Sequence, residues 1–218
     1  PQLAVRLFVP DNSAKLSWSG WKHATGYPEL LKNAFDEKVI AYCLFDSDYF
    51  TQQVIDERVQ EANKKDIKIH IWQRKEIENY FLVPTAIQRI ISEEMRKGDV
   101  SPSIDQINDI IDDITNDMKN ETIDNISTYI QQSDRKLVAG TSHKMARQKV
   151  ERLWNTREGQ RSIVCGKDVI SRLSDWTQQT YGVILNGERI LKRMKYHEID
   201  QEVKEVITAI ERAQPFSP

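Results

Sequence analysis

Three short apolar runs set the frame for this chain: Leu3 to Val9 (LAVRLFV), Val39 to Phe45 (VIAYCLF) and Ile67 to Trp72 (IKIHIW). Each is rich in β-branched or aromatic residues and is bounded by polar or turn-forming ones, so each reads as a strand. Between them the pattern is helical. Tyr27 to Phe35 (YPELLKNAF) places Pro28 where a first helical turn tolerates it, and Val54, Ile55, Val59 and Ala62 recur at helical spacing. The order βαβαβ, with crossovers of this length, predicts an α/β fold built on a Rossmann-like, doubly wound parallel sheet. Ligands in such sheets sit at the carboxyl ends of the strands.

Beyond Pro84 the sequence is helical throughout. Thr85 to Met95, then Ile104, Ile107, Ile110, Ile111, Ile114 and Met118, then Ile123, Ile126 and Ile130 follow three-to-four spacing. Ser103 and Gln106 form a capping pair for the isoleucine-rich helix. Its other face (Asp105, Asn108, Asp109, Asp112, Asp113) is expected to be solvated. Lys167 to Trp176 and Asp200 to Glu211 are helices near the end. The expected organisation is an α/β core over 1–83, a largely helical subdomain over 84–160, and C-terminal helices over 161–218 packing back on the core.

Charge narrows the function classes. Lysines and arginines number 31 against 33 aspartates and glutamates, a formal charge of -2, so any face for nucleic acid must be local. No apolar run approaches the roughly 20 residues a membrane span needs. The opening PQLAVRLFVPDNS lacks the order of a signal peptide, so a cytoplasmic location with no membrane partner is expected. A strand that begins at Leu3, with no cap or linker before it, is expected of a piece of a longer protein. Cys43 and Cys165 lie in apolar surroundings and are expected as buried thiols, not disulfide or zinc partners.

The candidate chemistry begins where the second run ends. LFDSDYF sets Asp46 and Asp48 two residues apart, and in an extended segment both carboxylates would project together at the strand end. Paired carboxylates repel unless a cation lies between them, and hard oxygen ligands favour Mg²⁺ or a similar ion. The alternative is structural, with Asp48 capping the helix near Thr51 and Asp46 accepting from backbone amides. Past the third run, IHIWQRKEIENYF carries Glu76 and Glu78, which a neighbouring parallel strand would bring within reach of Asp46. Ordinary ion pairs among Arg74, Lys75, Glu76 and Glu78 are the alternative there. VCGKDVISRL starts a helix at Gly166 and Lys167, without the earlier glycine and following hydroxyl of a phosphate-binding loop. The stretch 132–159 is the one cationic concentration, and Arg135, Lys144, Arg147 and Lys149 are its candidates for nucleic-acid contact. His23, His70, His143 and His197 lack ligand spacing, and Trp18, Trp21 and Trp72 are expected to pack.

The segments SGWKHATGYPELLKNAF, YCLFDSDYF, HIWQRKEIENYFLVPTAI and CGKDVISRL, with a closing pair of helices, resemble the C-terminal region of OLD-type (overcoming lysogenisation defect) endonucleases over nearly the whole chain. In that family an ABC-like ATPase half precedes a TOPRIM nuclease half, and many members look like phage-defence proteins. The resemblance implies a TOPRIM core in 1–83 and metal-dependent cleavage of DNA, or of RNA, with one or two Mg²⁺ or Mn²⁺ ions. By the same likeness Asp46 and Asp48 match the D-x-D metal pair. Glu78 matches the acidic residue of E-N-Y as ligand and catalytic group, with Glu76 a further ligand. Lys167 matches a late lysine that stabilises the transition state. The implied partners are DNA and an ATPase half on the same or an associated chain, in a homo-oligomer, with ATP held there and not by this region. The family's first strand, ending in a glutamate within E-G-x-x-D, has no counterpart here. A rival of another class is therefore a non-catalytic interaction or dimerisation module of an ATPase.

Overall fold

A computed structural model describes residues 42–65 and 67–212 of the chain. The expected strand Leu3 to Val9, the helix Tyr27 to Phe35 and the start of the run Val39 to Phe45 lie outside the described residues, as do Trp18, Trp21 and His23. In chain order the elements are β1 (Tyr42–Phe45), α1 (Gln52–Lys64), β2 (Lys68–Ile71), a 3-10 turn (Ile77–Phe81), α2 (Pro84–Glu94), α3 (Ile104–Asp117) and α4 (Lys119–Ser133). They continue with α5 (Ala139–Leu153), α6 (Arg157–Ile163), α7 (Gly166–Tyr181), α8 (Gly187–Arg193), a second 3-10 turn (Tyr196–Glu198) and α9 (Gln201–Glu211). Among the described residues helices dominate a mixed α/β structure, and the chain divides into two units.

One unit holds β1, α1, β2 and α9. β1 and β2 run parallel, with Tyr42 opposite Lys68 and Phe45 opposite Ile71. Parallel neighbours need a crossover, and α1 supplies it where the helical spacing of Val54 to Ala62 predicts. Phe45, Ala62 and Ile67 are buried together, with Cys43, Ile69 and Ile71 packed against them. The Tyr42 hydroxyl donates to the Ala209 carbonyl at 3.4 Å, and His70 Nε2 meets Glu202 Oε1 at 2.9 Å, so each strand is tied to α9.

The other unit is helical and includes residues 46–51 and 72–200. Its larger core gathers Ile87, Ile90 and Ile91 of α2, Ile107 and Ile111 of α3, Val169 and Leu173 of α7, and Ile190 of α8. Each such side chain contributes about 1.5–3 kcal/mol on burial. The smaller core joins Ile123, Ile126 and Ile130 of α4 to Ala146 and Val150 of α5, so these two helices form a hairpin. Ser103 Oγ accepts from the Gln106 amide at 3.1 Å and caps α3 as the sequence pair predicts. The acidic face of α3 is only partly solvated. Asp105, Asp109 and Asp113 are exposed, but half-buried Asp112 accepts from Arg157 Nε at 2.6 Å and from Arg161 at 2.7 Å. The Arg161 side chain is 10% exposed, and a guanidinium so withdrawn from water requires a counter-charge. That demand comes from α6 and leaves no trace in the periodicity of α3. Among the described residues no helix is long and apolar enough to cross a membrane.

Candidate functional site

The strand end does not continue in extended form. Asp46 is half-buried, and its Oδ1 accepts from the Ile77 amide at 3.0 Å. Ser47 Oγ donates to the Arg74 carbonyl at 2.8 Å, and the Asp48 amide donates to the Lys75 carbonyl at 2.8 Å. Asp48 has φ 45°, a left-handed conformation that aspartate tolerates better than most residues. The expectation that both carboxylates project together from a straight segment is thus corrected. A tight turn, stitched to residues 74–77, carries them, and the backbone-accepting role of Asp46 is realised. Tyr49 packs on the α4–α5 hairpin and Phe50 meets Tyr129 edge-on at 4.9 Å, so two aromatic residues seat the acidic turn against that hairpin.

The KEIENY stretch comes to the same place. Glu76 is 3% exposed, and both of its oxygens are engaged. Oε1 accepts from the Lys167 amide at 2.7 Å and has Cys165 Sγ at 3.5 Å. Oε2 lies 2.9 Å from Lys75 Nζ and 3.4 Å from Lys167 Nζ. The ion pairs expected here as a surface alternative are present, but around a buried carboxylate. Asn79, fully buried, is the keystone that sequence reading passed over. Its Oδ1 accepts from the Glu76 amide at 2.9 Å, and its Nδ2 donates to the carbonyls of Arg161 at 2.7 Å and Val164 at 3.0 Å. One side chain thereby fixes the turn to the end of α6 and the residue that follows it. Tyr80, also buried, accepts from the Arg74 amide at 3.3 Å, and the Arg74 guanidinium stacks 4.6 Å from its ring centroid.

Gly166 explains its half of the GK pair. A Cβ there would lie 2.7 Å from the Asn79 backbone nitrogen, so only glycine lets the first turn of α7 approach the Glu78–Asn79 peptide this closely. The N-terminus of α7, a position that attracts anions, is filled by the chain's own Glu76. Lys167 Nζ stands 3.4 Å from oxygens of both Glu76 and Glu78. Glu78 Oε2 is buried and makes no hydrogen bond, because its 3.4 Å approach to Lys167 is close enough for Coulomb attraction but not aligned for donation. Glu78 and Lys167 also border an open cleft of about 480 Å³ whose wall includes Phe81, Ser171, Asp175 and Asn186.

The charges act on one another. Burial pushes Glu76 upward, but the Lys167 amide and the Lys75 ammonium outweigh it and hold the carboxyl below its usual range. Burial, Asp46 and Glu76 raise Asp48 against the pull of Lys75 and Lys167, and because 47% of the Asp48 side chain is exposed, solvent blunts that effect. Burial would lower the ammonium of Lys167, yet Glu76, Glu78 and Asp46 together raise it. Lys75, whose side chain is 10% exposed and whose Nζ is 5.2 Å from the Tyr49 ring, is raised mainly by its bond to Glu76 in spite of burial. Burial lifts the Cys165 thiol to about 11, so it is not a thiolate nucleophile near neutrality. Three separated segments therefore bring Asp46, Asp48, Glu76, Glu78, Lys75 and Lys167 into one electrostatic cluster, four carboxylates facing two ammonium groups. Among the described residues no three His, Cys, Asp or Glu side chains form a group that could hold a metal ion.

The basic candidates do not share one surface. Arg135 is exposed between α4 and α5, and Lys144 and Arg147 are exposed on α5 away from its buried line of Ser142, Ala146 and Val150. Lys149 lies on the flank of that buried line. Its side chain is exposed, and burial lowers its ammonium. No family model matches the sequence, and no curated protein or solved structure matches it.

Proposed function

We propose that this chain is the nuclease region of an OLD-type ATPase-nuclease, a divalent-metal-dependent phosphodiesterase that nicks or cuts DNA, in a phage-defence setting. The observation that carries the reading is the convergence of Asp46, Asp48 and Glu78 with Lys167 in a cluster where carboxylates outnumber ammonium groups by two. That excess is the charge of one Mg²⁺ or Mn²⁺ ion, and the buried, unbonded Glu78 Oε2 is a donor atom without a role in the protein's own hydrogen bonding. Asp46, Asp48 and Glu78 would hold the ion, which when bound supplies the charge that activates water and screens phosphate. Lys167 neutralises charge that develops on the phosphate. Arg135, Lys144, Arg147 and Lys149 hold the backbone electrostatically, without reading sequence. ATP belongs to the partner ATPase half.

The rival reading, a non-catalytic module attached to an ATPase, draws on the lack of a three-ligand group among the described residues. Calorimetry with Mn²⁺ separates the two. Asp46→Asn keeps an oxygen to accept from Ile77 while it removes the charge and one acceptor oxygen, so the turn keeps its bond to the Ile77 amide. Wild type should bind Mn²⁺, and Asp46→Asn should bind it at least about a hundredfold more weakly, beyond the loss of about 10- to 100-fold that an outer-shell change costs. Equal affinities, or no binding by wild type, would select the rival.

A further inference from the structure

We propose that Glu76 is a positioning residue that fixes Lys167 beside Glu78 at the cleft, and is not itself a metal ligand. The proposal rests on the nuclease reading for its purpose, but its geometry is independent of any ion. A ligand needs a free lone pair directed at the metal, and Glu76 has committed its oxygens to the Lys167 amide, the Lys75 ammonium and the Lys167 ammonium. Glu78, two residues on, differs in that its Oε2 has no hydrogen-bond partner. The two glutamates of KEIENY are thus divided between inward and outward work.

The division follows from how the backbone is held. Asn79 accepts from the Glu76 amide and donates to the carbonyls of Arg161 in the last turn of α6 and of Val164 just beyond it, so Glu76 and the start of α7 are held to one another through the backbone. The Gly166 approach then brings the Lys167 amide within 2.7 Å of Oε1. Because the same carboxylate binds the amide and the ammonium of one residue, it sets both where Lys167 starts and where its flexible stem ends. Lysine has four rotatable side-chain bonds and loses much entropy when held in place. A second point of attachment lets its ammonium stay near a phosphate site without being ordered anew by each substrate. Lys75 supplies the remaining counter-charge and keeps Glu76 ionised in its buried position.

Three measurements on Glu76→Gln test this, with Lys75→Met/Glu76→Gln as a second variant that removes both buried charges should the single change destabilise the fold. Mn²⁺ affinity should fall by no more than about tenfold, the low end of what an outer-shell change costs, and a loss as large as that of Asp46→Asn would make Glu76 a ligand and overturn the proposal. Hydrogen exchange of the Lys167 amide should quicken about tenfold in Glu76→Gln and further in Glu76→Ala, and unchanged exchange would also overturn it. In plasmid nicking, Glu76→Gln should lower kcat at unchanged KM. Its combination with Lys167→Met should be no slower than Lys167→Met alone, since a residue acting through another adds nothing once that other is gone. Fully additive losses would mean that Glu76 acts by another route. If wild type binds no Mn²⁺, the nuclease reading fails, while the exchange measurement still decides whether the clamp exists.

Discussion

A methyl group at Gly166 would press on the Asn79 backbone nitrogen at 2.7 Å, and neither the helix nor the turn can rotate a side chain out of the way. Gly166→Ala should therefore cost about 1–3 kcal/mol, the usual range for overpacking against backbone. Gly140, near the start of α5, has nothing within 4 Å of the corresponding position, so Gly140→Ala should be neutral or stabilise by up to about 1 kcal/mol. Urea unfolding of the two variants checks the contrast, and equal midpoints would remove the close approach from the account. At this scale the sequence was only partly legible. The acidic and basic residues of the cluster could be named from LFDSDYF, KEIENY and CGK because charge beside apolar runs is conspicuous. Asn79 could not, since its importance lies in bonds to Arg161 and Val164, which are distant in the chain. Glu76 was legible as a charged candidate but its burial and partners were not, because they depend on the start of α7.

Between elements, Glu198 does for the second 3-10 turn what Glu76 does for α7. It accepts from Arg89 and Thr85 of α2 and from the Lys195 amide at 2.7 Å, while Arg89 also donates to the Arg193 carbonyl at the end of α8. The hydrogen bonds from Arg89, aided by the Lys195 amide and Thr85, overcome burial and hold its carboxyl at about 2, from an ordinary value of 4.5. A group whose folded value lies below its unfolded value stabilises the fold above the unfolded value, and that contribution fades as pH falls toward the folded one. Wild type should accordingly lose stability between pH 4.5 and about 2 through this group. Glu198→Gln should be less stable at neutral pH by roughly 1.5–3 kcal/mol, the scale of a hydrogen bond to a charged group. The gap between the two proteins should close on acidification, as read from urea midpoints across pH, and a gap that stays constant would assign the loss to shape. The helices themselves were legible as stripes of isoleucine, and so was the Ser103 cap. The clamp was not, because Arg89 and Glu198 come from patterns that each look like ordinary surface. For the same reason the pattern of α3 marks Asp112 as one more solvated carboxylate, whereas α6 supplies it with two arginines.

For the whole chain, a formal charge of -2 means that any attraction for a polyanion must come from local arrangement. The α4–α5 hairpin offers such an arrangement within the unit that holds the acidic cluster. Tyr49 and Phe50 anchor the acidic turn on this hairpin, and Lys144 and Arg147 stand on α5 away from its buried line. The parallel pairing of β1 and β2 was legible from strand spacing, and the cationic stretch from composition, but which cations share a face is fixed only once Ser142, Ala146 and Val150 turn inward. That arrangement separates Lys144 and Arg147, three apart and on neighbouring parts of the exposed surface, from Lys149 on the flank. If the outer face binds phosphates, Lys144→Glu/Arg147→Glu should weaken binding of a DNA duplex and lower the slope of log affinity against log salt by about two units, one for each phosphate no longer neutralised. Lys149→Glu should change the slope by less than about one unit, because it stands on the flank of the buried line and not on the face that Lys144 and Arg147 share. Fluorescence anisotropy across a salt series reads both numbers. An unchanged slope in the double variant would make this a solvated helix face. A change from Lys149→Glu half as large as that of the double variant would mean that any attraction for DNA comes from diffuse charge and not from one surface.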